Sequence, residues 1–347
     1  DSSVNTMRKI LRSWPLAEQR AFFETDVGIP LVDEEEDLKV FPASHKARDV
    51  RDGLLGLARS LGVSIRMDAR VSGLTPRHGK WQVDLASVES LSADAVIVAT
   101  GGLSVPNTGS DGFGLRTMAT LGHEVHSTYA ALTPITSNSQ TFAALAGISL
   151  NVTLSAKSEA RSAEHTGGFL FTHTGYSGPA ALNVSHVLVR AREEGVPATL
   201  RVRWTPLKDA EWNAALAPTG KRTVTGALRS ENVPDRLAAV LLGVANVPAH
   251  RPLHELPRDE RLRLIETLVR CELPWSGDEG YKKAEVTGGG VALGEVDPRT
   301  MESKRHKGLF LCGEVLDAFG PIGGYNFLWA WATGRAAGTG AAQSQSS

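Results

Sequence analysis

The sequence has few cysteines, no excess of positive charge and no long apolar run. Its 2 cysteines, Cys271 and Cys312, lie far apart, which excludes a disulfide framework and any cysteine-based zinc or iron–sulfur site built from this chain alone. Lys and Arg number 37 against 38 Asp and Glu, whereas non-specific nucleic-acid binders and membrane-surface proteins carry a basic excess. No apolar run approaches the roughly 18 residues that cross a bilayer. We therefore expect a cytoplasmic protein with no metal site and no nucleic-acid or membrane partner.

Motifs of two large enzyme classes are also absent. The chain contains neither a G-x-S-x-G nucleophile elbow nor a G-x-x-x-x-G-K-[ST] phosphate loop. What it has in excess is glycine, 35 of 347 residues, which is about 10% where roughly 7% is usual. The length suits two or three domains, and a hydrophobic fraction of 41% suffices for a sizeable core.

Two short, continuous apolar runs end in glycine, a pattern typical of strands buried on both faces of a parallel sheet. Residues 94–100 stop at Gly101 and Gly102, and residues 308–312 stop at Gly313. Ligands of open α/β sheets bind beyond the carboxyl ends of the strands, where glycine lets the backbone approach closely. One such turn alone also fits an ordinary strand-to-helix connection, but the pair predicts a dinucleotide site.

A further glycine pair, Gly323 and Gly324, precedes a predicted helix over about 325–338. The free N–H groups and positive dipole end of a helix favour an anion.

The remaining pattern divides the chain into three segments. In the first, we predict helices over 7–27 (interrupted at Pro15), 46–61 and 112–121, and strands over 63–66 and 80–86. From 128 to 285, where prolines are frequent, we predict an inserted domain with strands over 148–154, 168–172 and 198–204 and helices over 208–216, 234–242 and 259–271. An acidic run at 33–37 and a polar tail at 343–347 predict a solvated loop and a disordered end.

Several stretches resemble the aminoacetone-oxidase-like flavoproteins, described as NAD(P)/FAD-dependent oxidoreductases, with bile-acid-reducing flavoproteins among their relatives. The resemblance covers essentially the whole chain and is most specific near its end. The matching stretches are VFP (40–42), ATGGLSVPNTGSDGFG (99–114), FTHTGYSGP (171–179), VTGGGV (286–291), TMESK (300–304), GLFLCGEVLD (308–317) and GGYN (323–326).

The resemblance implies an α/β fold: a Rossmann-like FAD-binding domain of the glutathione-reductase type, interrupted by a mixed β/α insert. Residues 1–127 and 286–347 would form the FAD-binding domain, and residues 128–285 the substrate-side insert. The substrate would bind between the two. FAD is the implied cofactor, and NAD(P) is left open.

The same resemblance implies a set of cofactor-binding residues. Val71 would offer its backbone to the adenine, Gly313 and Glu314 would lie over the ribityl–pyrophosphate, and Asp317 would lie close by. The others are Ala99, Thr100, Gly101 and Gly102 along the dinucleotide, and Gly323, Gly324, Tyr325 and Asn326 against the flavin ring.

One expected element is missing. FAD domains of this kind begin with a strand, a G-x-G-x-x-G turn and a helix, and no G-x-G-x-x-G occurs in this sequence. We expect that this N-terminal unit is lacking and that strand 95–99 loses part of its cover. The chain would then either associate with a separate N-terminal flavin-domain piece or retain FAD poorly.

The leading hypothesis is therefore an FAD-dependent oxidoreductase of an unknown small-molecule substrate. The alternative is a truncated or split flavoprotein subunit that acts as a non-catalytic binding module. An NAD(P)-only dehydrogenase is weaker because it needs the same missing glycine motif. The catalytic residue is unknown; His173 is a weak candidate for a general acid, and a structural histidine is the alternative.

Overall fold

A computed structural model describes residues 4–34, 39–220 and 222–344. Its α-helices are α1 (Val4–Arg12), α2 (Leu16–Ala21), α3 (Ala47–Ser60), α4 (Phe113–Thr120), α5 (Gln140–Ala143), α6 (Pro179–Glu193), α7 (Asp209–Ala215), α8 (Val224–Ser230), α9 (Asp235–Ala245), α10 (Arg258–Val269) and α11 (Tyr325–Ser344). Its strands are β1 (Leu31–Glu34), β2 (Lys39–Pro42), β3 (Val71–Arg77), β4 (Lys80–Leu85), β5 (Ser90–Ala93), β6 (Val96–Val98), β7 (Val125–Ala131), β8 (Ile135–Thr136), β9 (Ser149–Ser158), β10 (Ser162–Phe171), β11 (Gly175–Ser177), β12 (Ala198–Arg203), β13 (Cys271–Glu272), β14 (Gly277–Asp278), β15 (Val286–Val291) and β16 (Leu309–Leu311).

These elements form two compact units. Unit 1 comprises Asp1–Thr128 and Val286–Ser347, and unit 2 comprises Tyr129–Glu285. Across the described ranges, no helix combines the length and the apolar character that spanning a membrane requires.

Unit 1 contains the two apolar strands that end in glycine. β6 and β16 pair in parallel, with Leu309 opposite Val96 and Leu311 opposite Val98. Their carboxyl ends therefore lie at the same edge, as the sequence predicts for a ligand-binding sheet. Smaller sheets accompany this pair: β15 with β7, β1 with β2, and β3–β4–β5.

Burial of the two apolar strands differs from the prediction. The three residues of β16 are fully buried, each at 0% exposure, whereas Ile97 in the middle of β6 is 40% exposed. Burial on both faces is thus confirmed for β16 and wrong for β6. The physical reason is position, because β6 pairs on one edge only within the described chain and no layer covers Ile97.

Helix α11 closes over the core of unit 1 through small residues. A Cβ at Gly340 would lie 2.7 Å from the carbonyl oxygen of Thr300, so only glycine allows this approach. In the middle of the same helix, the Arg335 guanidinium lies over the Trp14 ring, 5.3 Å from its centroid. This cation–π contact ties the segment between α1 and α2 to α11.

Unit 2 is built on a seven-stranded sheet in the order β13–β12–β9–β10–β11–β8–β14, and the strand pairings are antiparallel. Helix α6 packs on it, and Phe169 and Trp204 lie among the aromatic rings of its core. The sequence pattern predicts no helix over α6. Nine of its residues are buried, and a helix buried on most sides lacks the polar and apolar periodicity that reveals an amphipathic one.

Several local predictions need correction. Residues 63–66 are not a strand, and β3 begins only at Val71. Asp33 and Glu34 belong to β1 rather than to a solvated loop, and α11 continues to Ser344. The rest of the acidic run (35–37) and of the tail (345–347) lies outside the described residues.

Candidate functional site

Thr287 in β15 joins two glycine-rich turns that are far apart in the sequence. Its Oγ1 atom accepts hydrogen bonds from the backbone N–H groups of Leu103 (2.8 Å) and Ser104 (3.1 Å), which follow the first turn. Its own backbone N–H donates to Oε1 of Glu314, in the second turn, at 2.9 Å. Thr287 is 1% exposed, so these bonds form away from competing water. The two turns therefore meet at one place in unit 1.

Gly102 allows this meeting because a side chain would have no room. A Cβ at residue 102 would lie 2.4 Å from Oγ1 of Thr287 and 2.8 Å from Oε1 of Glu314. Its neighbour Gly101 has a φ of +67°, in the left-handed region that favours glycine. Both glycines of the first turn thus have a backbone reason to be glycine.

Ala99 and Thr100 lead into this turn and are exposed. A Cβ at Gly114 would lie 2.1 Å from Oγ1 of Thr100. The start of α4 therefore packs directly against Thr100, and the exposed end of β6 keeps a fixed shape.

Glu314 is a carboxyl group in an unusual environment. Burial raises its pKa above the ordinary carboxyl range, and hydrogen bonding to Thr287 opposes this rise in part. A carboxyl group that takes up a proton more readily can donate as well as accept a hydrogen bond. Glu314 is predicted from the sequence and Thr287 is not, although Thr287 lies in the VTGGGV stretch that carries the resemblance.

The chain from Gly313 to Gly324, which the resemblance predicts to contact FAD and which is therefore named the cofactor loop, is fixed by α11. The N–H of Gly313 donates to Oγ1 of Thr333 at 2.9 Å, and its carbonyl oxygen accepts from Nε1 of Trp329 at 3.0 Å. Asn326 bonds the N–H and the carbonyl oxygen of Gly320 with its side-chain amide, at 2.8 and 3.1 Å. Asn326 thus shapes the loop, in addition to any contact with a ligand.

The start of α11 is open. Gly323 and Gly324 have φ values of +132° and +92°, and a Cβ at Gly324 would meet nothing within 4 Å. The backbone N–H groups of Tyr325 and Asn326 have no acceptor within the described chain. Tyr325 itself is 53% exposed. A 20-residue helix therefore presents free donors and its positive dipole end at this point.

Asp317, in the middle of the cofactor loop, is held by β7 and β15. Its Oδ2 lies 2.6 Å from Nδ1 of His126, and its N–H donates to the carbonyl oxygen of Val291 at 2.8 Å. The Asp317 side chain is 18% exposed. Nε2 of His126 lies 3.5 Å from a carboxylate oxygen of Glu124, whose side chain is 65% exposed.

Comparison with known proteins identifies the family. The family described as HI0933-like protein Rossmann domain matches residues 2–340. The chain belongs to the HI0933-like family. This membership and the mixed α/β structure confirm the predicted Rossmann-like fold class.

Three curated relatives of this HI0933-like chain have informative names. The ribosomal RNA dihydrouridine synthase of Escherichia coli (strain K12) is 30% identical over 290 residues, 83% of this chain and 70% of the relative. The 3-dehydro-bile acid delta(4,6)-reductase of Clostridium scindens is 31% identical over 346 residues, which cover 97% of this chain and 82% of the relative. The ribosomal RNA dihydrouridine synthase of Haemophilus influenzae is 34% identical over 240 residues, which cover 69% of this chain and 58% of the relative.

The family and these relatives support a flavoprotein oxidoreductase, the general class that the sequence predicted. A bile-acid reductase is among the relatives, as the resemblance implies. The narrower aminoacetone-oxidase-like assignment stays a prediction.

Two predicted residues of the HI0933-like chain belong to elements other than the glycine turns. Val71 opens β3 in the three-stranded sheet of unit 1. His173 is exposed in the turn between β10 and β11 of unit 2. Cys312 directly follows β16, and burial raises the pKa of its thiol to about 11, which makes it an unreactive core thiol.

Replacing Gly102 by alanine in the HI0933-like chain tests the junction. The added Cβ forces Thr287 or Glu314 to move, and we expect a loss of about 1–3 kcal/mol in the free energy of unfolding. Urea denaturation measures it. Gly294→Ala is the matched control, because a Cβ there meets nothing within 4 Å; equal stability of both variants would contradict the packing described.

The pH dependence of Glu314→Gln tests the raised pKa. A native pKa above the unfolded one means that the native state binds more protons between the two values, so wild-type stability falls as pH rises through that window. Each pKa unit by which the native value exceeds the unfolded value changes the free energy of unfolding by about 1.4 kcal/mol across this window. Glutamine keeps the acceptor for Thr287 and does not titrate. We therefore expect the variant to gain stability over the wild type as pH rises from about 4 towards 7, and a difference independent of pH would contradict the account.

Proposed function

We propose that this chain is an FAD-dependent reductase of a small molecule in which a carbon–carbon double bond is conjugated to a carbonyl group. Two relatives' names support this reaction class. A dihydrouridine is a uridine whose ring double bond, next to a carbonyl, has been saturated, and a delta(4,6)-reductase of a 3-dehydro (that is, 3-oxo) bile acid acts on conjugated double bonds. Both reactions add a hydride and a proton across an activated double bond.

A small molecule is favoured over RNA as the substrate. The chain aligns over 97% of its length with the bile-acid reductase and over 83% with the Escherichia coli dihydrouridine synthase. The formal net charge of −1 also lacks the basic excess that contacts with a phosphate backbone require.

The observation that carries FAD as the cofactor is the cofactor loop, whose two ends both suit a flavin. At one end the glycine turns meet at Thr287 and Glu314. At the other end, the free N–H groups and dipole of α11 would stabilise negative charge. When bound and reduced, FAD supplies the hydride. The protein would hold it with Gly101, Gly313 and the start of α11, and NAD(P)H is the proposed reductant.

The chain also lacks a part that FAD domains use. No G-x-G-x-x-G turn is present, so the described residues fit the flavin end of FAD better than its pyrophosphate. We propose that the 347-residue chain binds FAD weakly by itself. The exposure of Ile97 on β6 favours a second candidate function, a non-catalytic binding module completed by a separate flavin-domain piece.

The test starts from the purified chain and FAD. We expect FAD binding, seen as a saturable change in flavin fluorescence when the chain is titrated into FAD. Without oxygen, NAD(P)H should bleach the visible absorption of the bound flavin, and a 4,6-dien-3-one steroid should restore it. Mass spectrometry should then show two hydrogen atoms added to the steroid. A uridine-containing ribosomal RNA fragment is the comparison substrate; reduction of RNA alone would overturn the small-molecule assignment.

Two other outcomes separate the remaining candidates. Bound FAD that NAD(P)H or dithionite reduces, but that no conjugated carbonyl compound reoxidises, would contradict the reductase. A chain that binds no FAD at saturating concentration would contradict FAD dependence and leave the binding module as the better candidate.

A further inference from the structure

We propose that His126 is a positioning residue that holds the cofactor loop in its binding conformation through Asp317. The proposal rests on the proposed function, because the loop is the part of the chain that would contact FAD. His126 was not singled out by the sequence analysis and belongs to β7, a strand that contributes no glycine turn.

The first support is the close layering of three backbone segments. A Cβ at Gly289 would lie 2.2 Å from the carbonyl oxygen of Ser127, the residue after His126. A Cβ at Gly290 would lie 2.8 Å from the carbonyl oxygen of Val315 and 3.2 Å from the nitrogen of Asp317. β15 thus lies against β7 on one side and the cofactor loop on the other, with no side chain between them. This spacing lets a side chain of β7 reach the loop.

The second support is the contact itself. Nδ1 of His126 and Oδ2 of Asp317 are 2.6 Å apart, and the two side chains are 31% and 18% exposed. Hydrogen bonds with an ionised partner are shorter and stronger than neutral ones. The other contacts that hold the loop, from Thr287, Thr333 and Asn326, involve at least one backbone group. The His126–Asp317 contact joins two side chains instead, and Asp317 lies between the two loop ends proposed to touch FAD.

The consequence is that His126 controls cofactor affinity without touching the cofactor. When the imidazole is removed, Asp317 loses this contact and the loop loses one tie to β7, so the loop is held less tightly and can shift. Gly313 on one side and Gly323 on the other move with it. A β-branched residue at 126 would leave the strand itself intact.

The experiment compares His126→Val with His126→Asn. FAD affinity is measured by titrating the full chain and following flavin fluorescence. We expect His126→Val to weaken FAD binding at least about tenfold, the equivalent of about 1.4 kcal/mol. His126→Asn should stay within a factor of about two to three, because its amide N–H can replace the Nδ1 donor. Equal affinities of both variants and the wild type would overturn the proposal.

A matched control separates positioning from general destabilisation. His306 is also half-buried in unit 1, and its Nε2 lies 2.8 Å from the carbonyl oxygen of Leu121, away from the cofactor loop. We expect His306→Val to lower the melting temperature without changing FAD affinity. If His306→Val weakens FAD binding as much as His126→Val does, the effect of His126 is only structural and the proposal is wrong.

The proposal remains testable if the wild type binds no FAD, a result that would count against the proposed function alone. Hydrogen exchange of the unliganded chain then reports the loop directly. We expect faster exchange over 313–320 in His126→Val than in the wild type and in His126→Asn, because opening of the loop costs less without this contact. Identical exchange in all three proteins would overturn the positioning role.

Discussion

Unit 1 depends on one buried residue, Thr287, whose hydrogen bonds join two distant turns. Its hydroxyl accepts the N–H groups of Leu103 and Ser104, and its own N–H bonds Glu314. Buried backbone N–H groups without acceptors are costly, so these turns would separate or rearrange without Thr287. The two apolar strands can end in open glycine turns because Thr287 on a third strand supplies an acceptor to the first turn and a donor to the second.

Glycine serves two different physical purposes around this junction. Gly102, Gly289 and Gly290 lie where a Cβ would collide with neighbouring atoms, so they allow backbone segments to pack together. Gly313 and Gly324 have positive φ values and open space where a Cβ would be, so they leave backbone accessible to a ligand. Glycine therefore serves both tight packing and open backbone around this junction.

Much of this arrangement could be predicted from the sequence, because it follows from local patterns. Apolar runs that end in glycine placed β6, β16 and the turns, and helix signals placed α3, α4 and α11. The bond from Thr287 to Leu103 spans 184 residues, and such contacts leave no periodic signal. The exposure of Ile97 could not be predicted for a related reason, since it depends on which layers cover the strand rather than on the strand's own residues.

The central claim is that the junction at Thr287 builds the cofactor site, and its most direct test is the FAD affinity of Thr287→Val beside Thr287→Ser. Valine keeps the shape and removes the acceptor, whereas serine keeps the hydroxyl. At a temperature where both variants are folded, the account predicts FAD binding weakened at least about tenfold by valine and little changed by serine. Wild-type affinity in Thr287→Val would contradict it.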